Sequence, residues 1–166
     1  ETKGILMKDY IKIGIDKKLI DIIDDGKKIL YTHQNKKYNY KDPEEQVRAS
    51  YYIELVERYE YPPQRINFEI PIPRRIQGDY ADIVVFKDDE QKEPYIVVEC
   101  KKDAISDAEF LQAIEQAFGN ANNLNAHFIS VVSGITIKSF NLKDFKPLER
   151  VLNIISTLPF EERIAL

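Results

Sequence analysis

The sequence predicts an α/β domain in which helices flank a mixed central sheet. The first observation is the order of its patterns: from residue 42 onward a helix is followed by three strands, a second helix, two further strands and a last helix, which is typical of α/β proteins. The second is the composition, because 43% hydrophobic and 31% charged residues among 166 are ordinary for one globular domain with its own core.

The N-terminal quarter of the chain is predicted to be an extension that packs on the main domain. The extension covers residues 1–41 and the main domain residues 42–166, as a single domain overall. Within the extension we expect a short helix around Asp16 to Ile23 and strands near Lys28 to Tyr31 and Lys37 to Tyr40.

Two helices of the main domain are predicted from their start signals. The first begins with Asp42 as N-cap and Pro43 at the first helical position, a pairing that suits the free amides of a first turn, and Pro62 ends it. The second opens at Ser106, which forms a capping box with Glu109. Their apolar stripes are Val47, Tyr51 and Leu55 in the first helix and Phe110, Ile114, Ala117 and Ala121 in the second.

Five short segments of the main domain carry strand patterns, with alternating or continuously apolar residues bounded by polar turns. A last helix is expected close to the end of the chain. The predicted strands are Ile66 to Ile72, Tyr80 to Phe86, Pro94 to Lys101, Phe128 to Val132 and Ile135 to Phe140, and the last helix is Pro147 to Thr157.

Two of these strands carry acids within apolar runs. The polar loop 87–93 suits a hairpin between them, and with Phe86 opposite Tyr95 the register places Asp82 opposite Glu99. Directly opposed residues have Cβ atoms about 4.5–5.5 Å apart, and two carboxylates that close repel unless a cation or proton lies between them. A hard divalent cation, Mg²⁺ or Mn²⁺, is the natural partner for such oxygens.

A lysine completes this group. Lys101 follows Glu99 by two residues and therefore lies on the same face of its strand, where its ammonium can orient a water and stabilise charge on a phosphate. Two acids and a lysine around one ion predict phosphodiester hydrolysis; strand ends that reach solvent are the alternative. Arg74 and Arg75, just before the Asp82 strand, are candidates for phosphate contacts or simply surface charge.

These residues resemble a known nuclease motif. Asp82, a loop and Glu99-Cys100-Lys101 resemble the PD-(D/E)xK motif, and their context resembles the N-terminal nuclease domain of type I restriction enzyme R (HsdR) subunits, over roughly residues 40–142. The resembling stretches are Pro43 to Arg48, Arg74-Arg75, Ala81 to Val84, Val97 to Lys102, Gln116 and Ser133-Gly134.

The resemblance implies a restriction-endonuclease-like fold and a role for each matching residue. Asp82 and Glu99 would bind the metal, with the backbone carbonyl of Cys100 as a third ligand. Lys101 would position or activate the attacking water. Glu45 matches an acid that joins the metal site in related nucleases, although it also suits the first turn of a helix.

The match to a second motif is incomplete. Gln116 corresponds to the glutamine of a Gln-x-x-x-Tyr motif near the metal and DNA, but position 120 is Asn. Gln116 also lies off the centre of the apolar stripe, so a solvated helix residue is the other interpretation. Ala81 replaces the proline that often precedes the first acid of the PD-(D/E)xK motif.

The expected partner is double-stranded DNA, with other restriction subunits or a C-terminal translocase region as further partners, and ATP only if a separate translocase domain exists. The net charge of −4 argues against DNA binding by charge alone, although residues 1–41 carry ten lysines and six acids. No apolar run approaches the roughly 20 residues that span a bilayer, and one cysteine is compatible with a cytoplasmic location.

Two other functions stay open at this stage. One is a non-cleaving module with a nuclease-like fold that binds nucleic acid or a partner protein. The other is a different metal-dependent nuclease, such as a junction resolvase or an enzyme that acts on RNA.

Overall fold

A computed structural model describes residues 7–73, 79–142 and 152–161. Within these ranges the chain forms three α-helices and two sheets. The helices are α1 (Met7–Asp16), α2 (Pro43–Glu57) and α3 (Asp107–Leu124), with a 3-10 turn at Pro63–Arg65. The small sheet holds β1 (Ile20–Ile23), β2 (Lys28–Tyr31) and β3 (Lys36–Asn39), and the large sheet holds β4 (Ile66–Pro71), β5 (Tyr80–Phe86), β6 (Pro94–Lys101), β7 (Phe128–Ser133), β8 (Thr136–Asn141) and β9 (Ile154–Ile155).

The large sheet is mixed and its strands follow chain order. Neighbours pair antiparallel except β6 and β7, which are parallel and are joined through α3. Alternate side chains of the same strands enter two separate cores, with Ile83 and Val98 in the cluster around α2 and Val84 and Val97 in the cluster around α3. The predicted α/β architecture, with helices on both faces of a mixed sheet, is confirmed and matches a restriction-endonuclease-like fold.

The helix α2 starts where the sequence predicts but is more enclosed than its stripe suggests. The Asp42 side chain accepts a hydrogen bond from the Glu44 amide, and ten of the fifteen helix residues are buried. It lies between the large sheet on one side and α1 with the small sheet on the other. Gly14 lets α1 approach closely, because a Cβ there would lie 2.6 Å from Cδ1 of Ile53.

The helix expected at Asp16 to Ile23 is wrong. The helix α1 ends at Asp16, and Ile20–Ile23 is a strand that pairs antiparallel with Lys28–Tyr31. The turn between them contains Asp24, Asp25 and Gly26 with positive φ angles, which these residue types adopt readily in hairpins. An isoleucine-rich run this short fits the residue period of a helix as well as that of a strand. Its pairing with β2 makes it a strand.

The last predicted helix is wrong in the part that the structure describes. Residues 143–151 lie outside the described residues, and so do Arg74 and Arg75. Ile154–Ile155 forms β9, which pairs antiparallel with Ser139 and Phe140 of β8, so tertiary pairing overrides the local pattern. In the described ranges, no helix has the length and apolar character needed to cross a membrane.

Candidate active site

The hairpin of β5 and β6 brings Asp82 beside Glu99. Val84 pairs with Val97, as predicted, and Ile83 pairs with Val98. One further step of this register would set Asp82 opposite Glu99. Only the turn end differs: Phe86 pairs with Pro94 rather than Tyr95, because the register shifts between Val85 and Phe86. The irregularity affects the end of the hairpin away from the acids.

Three interactions define the Asp82 carboxyl. Its Oδ2 atom accepts a hydrogen bond of 2.8 Å from the backbone amide of Cys100, and the carboxyl of Glu99 lies next to it. Burial raises the pKa of Asp82, whereas the Cys100 amide and the Arg48 guanidinium oppose this rise. The carboxyl is thus fixed to β6 by the main chain rather than by packing alone.

Glu99 lies deeper than Asp82. It is 3% exposed, and burial, together with the negative charge of Asp82, raises the pKa of its carboxyl to about 9. Its Oε2 atom is buried and has no hydrogen-bond partner among the described residues. Burial and the adjacent Asp82 carboxyl thus favour the protonated form of Glu99, because two neighbouring buried charges would repel each other.

Lys101 lies at the solvent side of this pair. Its Nζ atom is 3.7 Å from Oε1 of Glu99, and its side chain is 30% exposed. The intervening Cys100 is buried in the cluster around α2, so its side chain faces away from the acids, as the alternation of a strand predicts. The ammonium is therefore more accessible to solvent than the Glu99 carboxyl beside it.

A pocket opens beside Asp82 between the start of α2 and the ends of β4 and β5. It is strongly acidic, a character that suits a cation rather than a phosphate. Its walls include Glu44, Glu45, Glu69 and Asp82, together with Arg48 and Tyr80. Among the residues that the structure describes, no group of three His, Cys, Asp or Glu side chains is arranged to hold a metal ion.

Glu45 lies in this wall, but its carboxylate is already engaged. Its Oε1 atom accepts from Nη2 of Arg48 at 2.6 Å, and its Oε2 atom accepts from Nε of Arg48 at 3.0 Å and from the Tyr31 hydroxyl at 2.5 Å. The structure thus places Glu45 near Asp82 with both oxygens turned to other partners.

Sequence reasoning missed Glu44 and Arg48. Burial raises the pKa of Glu44. The positive charge of Lys101 opposes this rise and the negative charge of Asp82 adds to it, so Glu44 faces the cluster. Both residues belong to the Pro43-Glu44-Glu45-Gln46-Val47-Arg48 stretch. Because residues three or four apart share a helix face, the spacing of Glu44 and Glu45 from Arg48 was a usable signal.

The structure also brings Gln116 to this side of the molecule. It is exposed on α3 and lines a second opening with Glu44, Lys101, Lys102 and Gln112. Asn120, one turn later, is 4% exposed and belongs to the buried side of the helix. Asn120, which stands where the Gln-x-x-x-Tyr motif has Tyr, therefore lies in the core rather than at the opening.

The fold and this cluster define a class of domain: a mixed α/β, restriction-endonuclease-like domain with paired acids and a lysine at the edge of an acidic pocket. The chain matches the family model of the type I restriction enzyme R protein N terminus over residues 43–159. The chain belongs to this family, which confirms the resemblance seen in the sequence. A search of curated proteins found no match. The matched region begins at α2, so α1 and the small sheet precede it.

Proposed function

We propose that this chain is a metal-dependent DNA endonuclease domain of a type I restriction-modification system, which hydrolyses phosphodiester bonds in double-stranded DNA. The observation that carries the proposal is the Asp82–Glu99 pair with Lys101 beside it at the solvent side. Membership of the R protein family supports the restriction system, and the R subunit context supports other restriction subunits as partners. ATP would have a role only if a separate translocase domain exists.

The donor set fits a hard divalent cation. Two adjacent carboxyls, one of them with a buried oxygen that lacks a partner among the described residues, are held together at a cost that a cation would remove. Asp82, Glu99 and the Cys100 carbonyl would hold Mg²⁺ or Mn²⁺, and water would complete the shell, since Mg²⁺ commonly keeps several waters and takes only one or two carboxylates. A bound ion supplies Lewis acidity toward the phosphate and lowers the pKa of its water.

The residues of the chain have separate tasks in this scheme. Lys101 orients the attacking water and stabilises the negative charge that develops on the phosphate, since its ammonium is exposed while the acids beside it are not. Glu44 is a better candidate than Glu45 for a third acid near the ion, because the Glu45 oxygens are engaged by Arg48 and Tyr31. Glu45 would reach the ion only by giving up one of these bonds.

DNA would lie over the exposed side of the cluster. Gln116 lines an opening with Lys101 and Lys102, and these polar and basic side chains suit a phosphate backbone. Arg74 and Arg75 remain proposed phosphate contacts from the sequence alone. The acidic pocket beside Asp82 would repel DNA unless a cation is bound, which would couple DNA binding to metal binding.

A non-cleaving binding module is the second candidate. The buried Asn120 favours it, because the partner that Gln116 has in the Gln-x-x-x-Tyr motif does not reach the opening. In that case the domain would bind nucleic acid or another restriction subunit, and the acids would be a remnant of catalysis.

A plasmid nicking assay separates the two functions. The folded chain is incubated with supercoiled plasmid in Mg²⁺, Mn²⁺ or EDTA, together with Lys101→Ala and the control Lys92→Ala, an exposed lysine in the hairpin loop. The nuclease proposal predicts metal-dependent cutting by the wild type and the control that disappears in Lys101→Ala. A folded chain that neither cuts nor binds Mn²⁺ would favour the binding module.

A further inference from the structure

We propose that Tyr31, Glu45 and Arg48 form a positioning bridge that holds Asp82 in place. The small sheet is then part of the nuclease centre, although it precedes the region matched by the family model. The effect of the bridge on catalysis rests on the proposed function. The positioning of Asp82 rests only on the geometry of these three buried side chains.

Arg48 is the centre of the bridge. Its Nε and Nη2 atoms donate to the two oxygens of Glu45 at 3.0 and 2.6 Å, and its Nη1 atom makes a long hydrogen bond of 3.4 Å to the backbone carbonyl of Asp82. Nη1 also lies 3.6 Å from Oε1 of Glu69. Two-point binding to Glu45 fixes the plane of the guanidinium, so the remaining nitrogen is aimed at the main chain of β5.

The small sheet supplies the other contacts. The Tyr31 hydroxyl of β2 donates to Glu45 at 2.5 Å, and Tyr31 has 0% exposed surface. The ring of Tyr38 on β3 stacks on Arg48, with 4.2 Å from its centroid to Cζ. Lys36, also on β3, donates to the backbone carbonyl of Phe68 on β4 at 2.8 Å. Neighbouring strands of the small sheet therefore orient both charged members of the bridge.

A purely stabilising role does not account for this arrangement. Arg48 and Glu45 are 4% and 7% exposed, and burying an ion pair incurs a desolvation cost that apolar residues of similar volume would avoid. The pair instead extends to the main chain of a proposed metal ligand. Groups that hold a ligand in this way commonly change metal affinity or activity about 10- to 100-fold when they are removed.

The position of Asp82 has a reporter that needs neither metal nor DNA. The Cys100 amide donates to Oδ2 of Asp82 at 2.8 Å, so its proton shift and its exchange with solvent depend on where that carboxyl lies. Amide NMR spectra of the metal-free chain therefore measure the bridge directly.

The test compares two buried tyrosines that both lose a hydroxyl. Tyr31→Phe removes the bond to Glu45. In Tyr52→Phe the lost hydroxyl accepts, within the described part of the chain, a single 3.4 Å bond from Gln34. Both rings are fully buried and contact each other edge to face. Arg48→Lys keeps the charge but loses the two-point geometry.

We expect the Cys100 amide to shift and to exchange faster in Tyr31→Phe and Arg48→Lys, but not in Tyr52→Phe. Mn²⁺ affinity should fall roughly 10-fold in Tyr31→Phe and stay unchanged in Tyr52→Phe. A Cys100 amide that is unchanged in Tyr31→Phe, or that changes equally in Tyr52→Phe, would overturn the bridge. Wild-type chain that neither cuts DNA nor binds Mn²⁺ would instead remove the proposed function, while the amide comparison would still decide the positioning role.

Discussion

The backbone amide of Cys100 donates a 2.8 Å hydrogen bond to the carboxyl of Asp82. This bond joins the first acid of the cluster to the strand that carries the second acid and the lysine. It holds the Asp82 carboxyl against the backbone of β6. The two acids thus form one cluster, with Lys101 at its solvent side.

The first prediction concerns the pH dependence of stability in the metal-free chain. The pKa of Glu99 rises from 4.5 to about 9 on folding, so between these values the folded chain holds a proton that the unfolded chain releases. The contribution is fully present below pH 4.5 and is lost as the pH rises toward 9, with a slope of at most about 1.4 kcal/mol per pH unit. Glu99→Gln should remove this slope.

Urea denaturation in EDTA at several pH values measures the effect. We expect the free energy of unfolding of Glu99→Gln to increase relative to that of the wild type as the pH rises from 5 to 8.5. A constant difference between the two chains across this range would show that Glu99 ionises normally in the fold.

The second prediction concerns the turn between β7 and β8. Gly134 has a φ of +59°, and a Cβ there would collide with the Asp103 side chain. Gly26 has a φ of +80°, but the nearest atom to its added Cβ is 4.0 Å away. Gly26→Ala should therefore lose about 1–2 kcal/mol from backbone strain alone, and Gly134→Ala about 1–3 kcal/mol more because of the collision.

Chemical denaturation of the two variants tests this difference in the free energy of unfolding. Equal losses would mean that Asp103 moves aside without cost. A displaced Asp103 would also disturb the site, because it follows Lys101, the last residue of β6, by only two residues.

The third prediction separates binding from chemistry at Lys101. Lys101→Met keeps the length of the side chain and removes its charge, so the carboxyls that would hold the ion stay in place. We expect Mn²⁺ affinity to change little and the plasmid cutting rate to fall about 100- to 1,000-fold, as when one stabilising donor is removed. Loss of Mn²⁺ binding in this variant would assign Lys101 a structural role instead.

The pairing of the two acids could be predicted because it depends on local rules. Alternation within β5 and β6 and the length of their loop fix a register that the structure reproduces from Ile83 to Val85. The capping pattern of Asp42 and Pro43 likewise predicted the start of α2. Side-chain period and capping operate over a few residues, so a single sequence contains enough information for them.

The surroundings of the acids could not be predicted, because they depend on contacts between distant segments. The bond from Tyr31 to Glu45 and the stacking of Tyr38 on Arg48 require the small sheet to dock on α2, which no local pattern specifies. The strand β9 forms for the same reason, through pairing with β8. Pairing also explains why Ile20–Ile23 forms a strand where a helix was expected over Asp16 to Ile23.

A calorimetric titration of Mn²⁺ tests whether Asp82 and Glu99 form a metal centre. It compares the wild-type chain, Asp82→Asn and the control Glu90→Gln, in which an exposed acid of the hairpin loop is replaced. Asp82→Asn keeps the shape of the side chain and removes its charge. We expect saturable Mn²⁺ binding by the wild type and by Glu90→Gln, and its loss in Asp82→Asn. Equal Mn²⁺ binding by all three folded chains would contradict a metal centre built on Asp82 and Glu99.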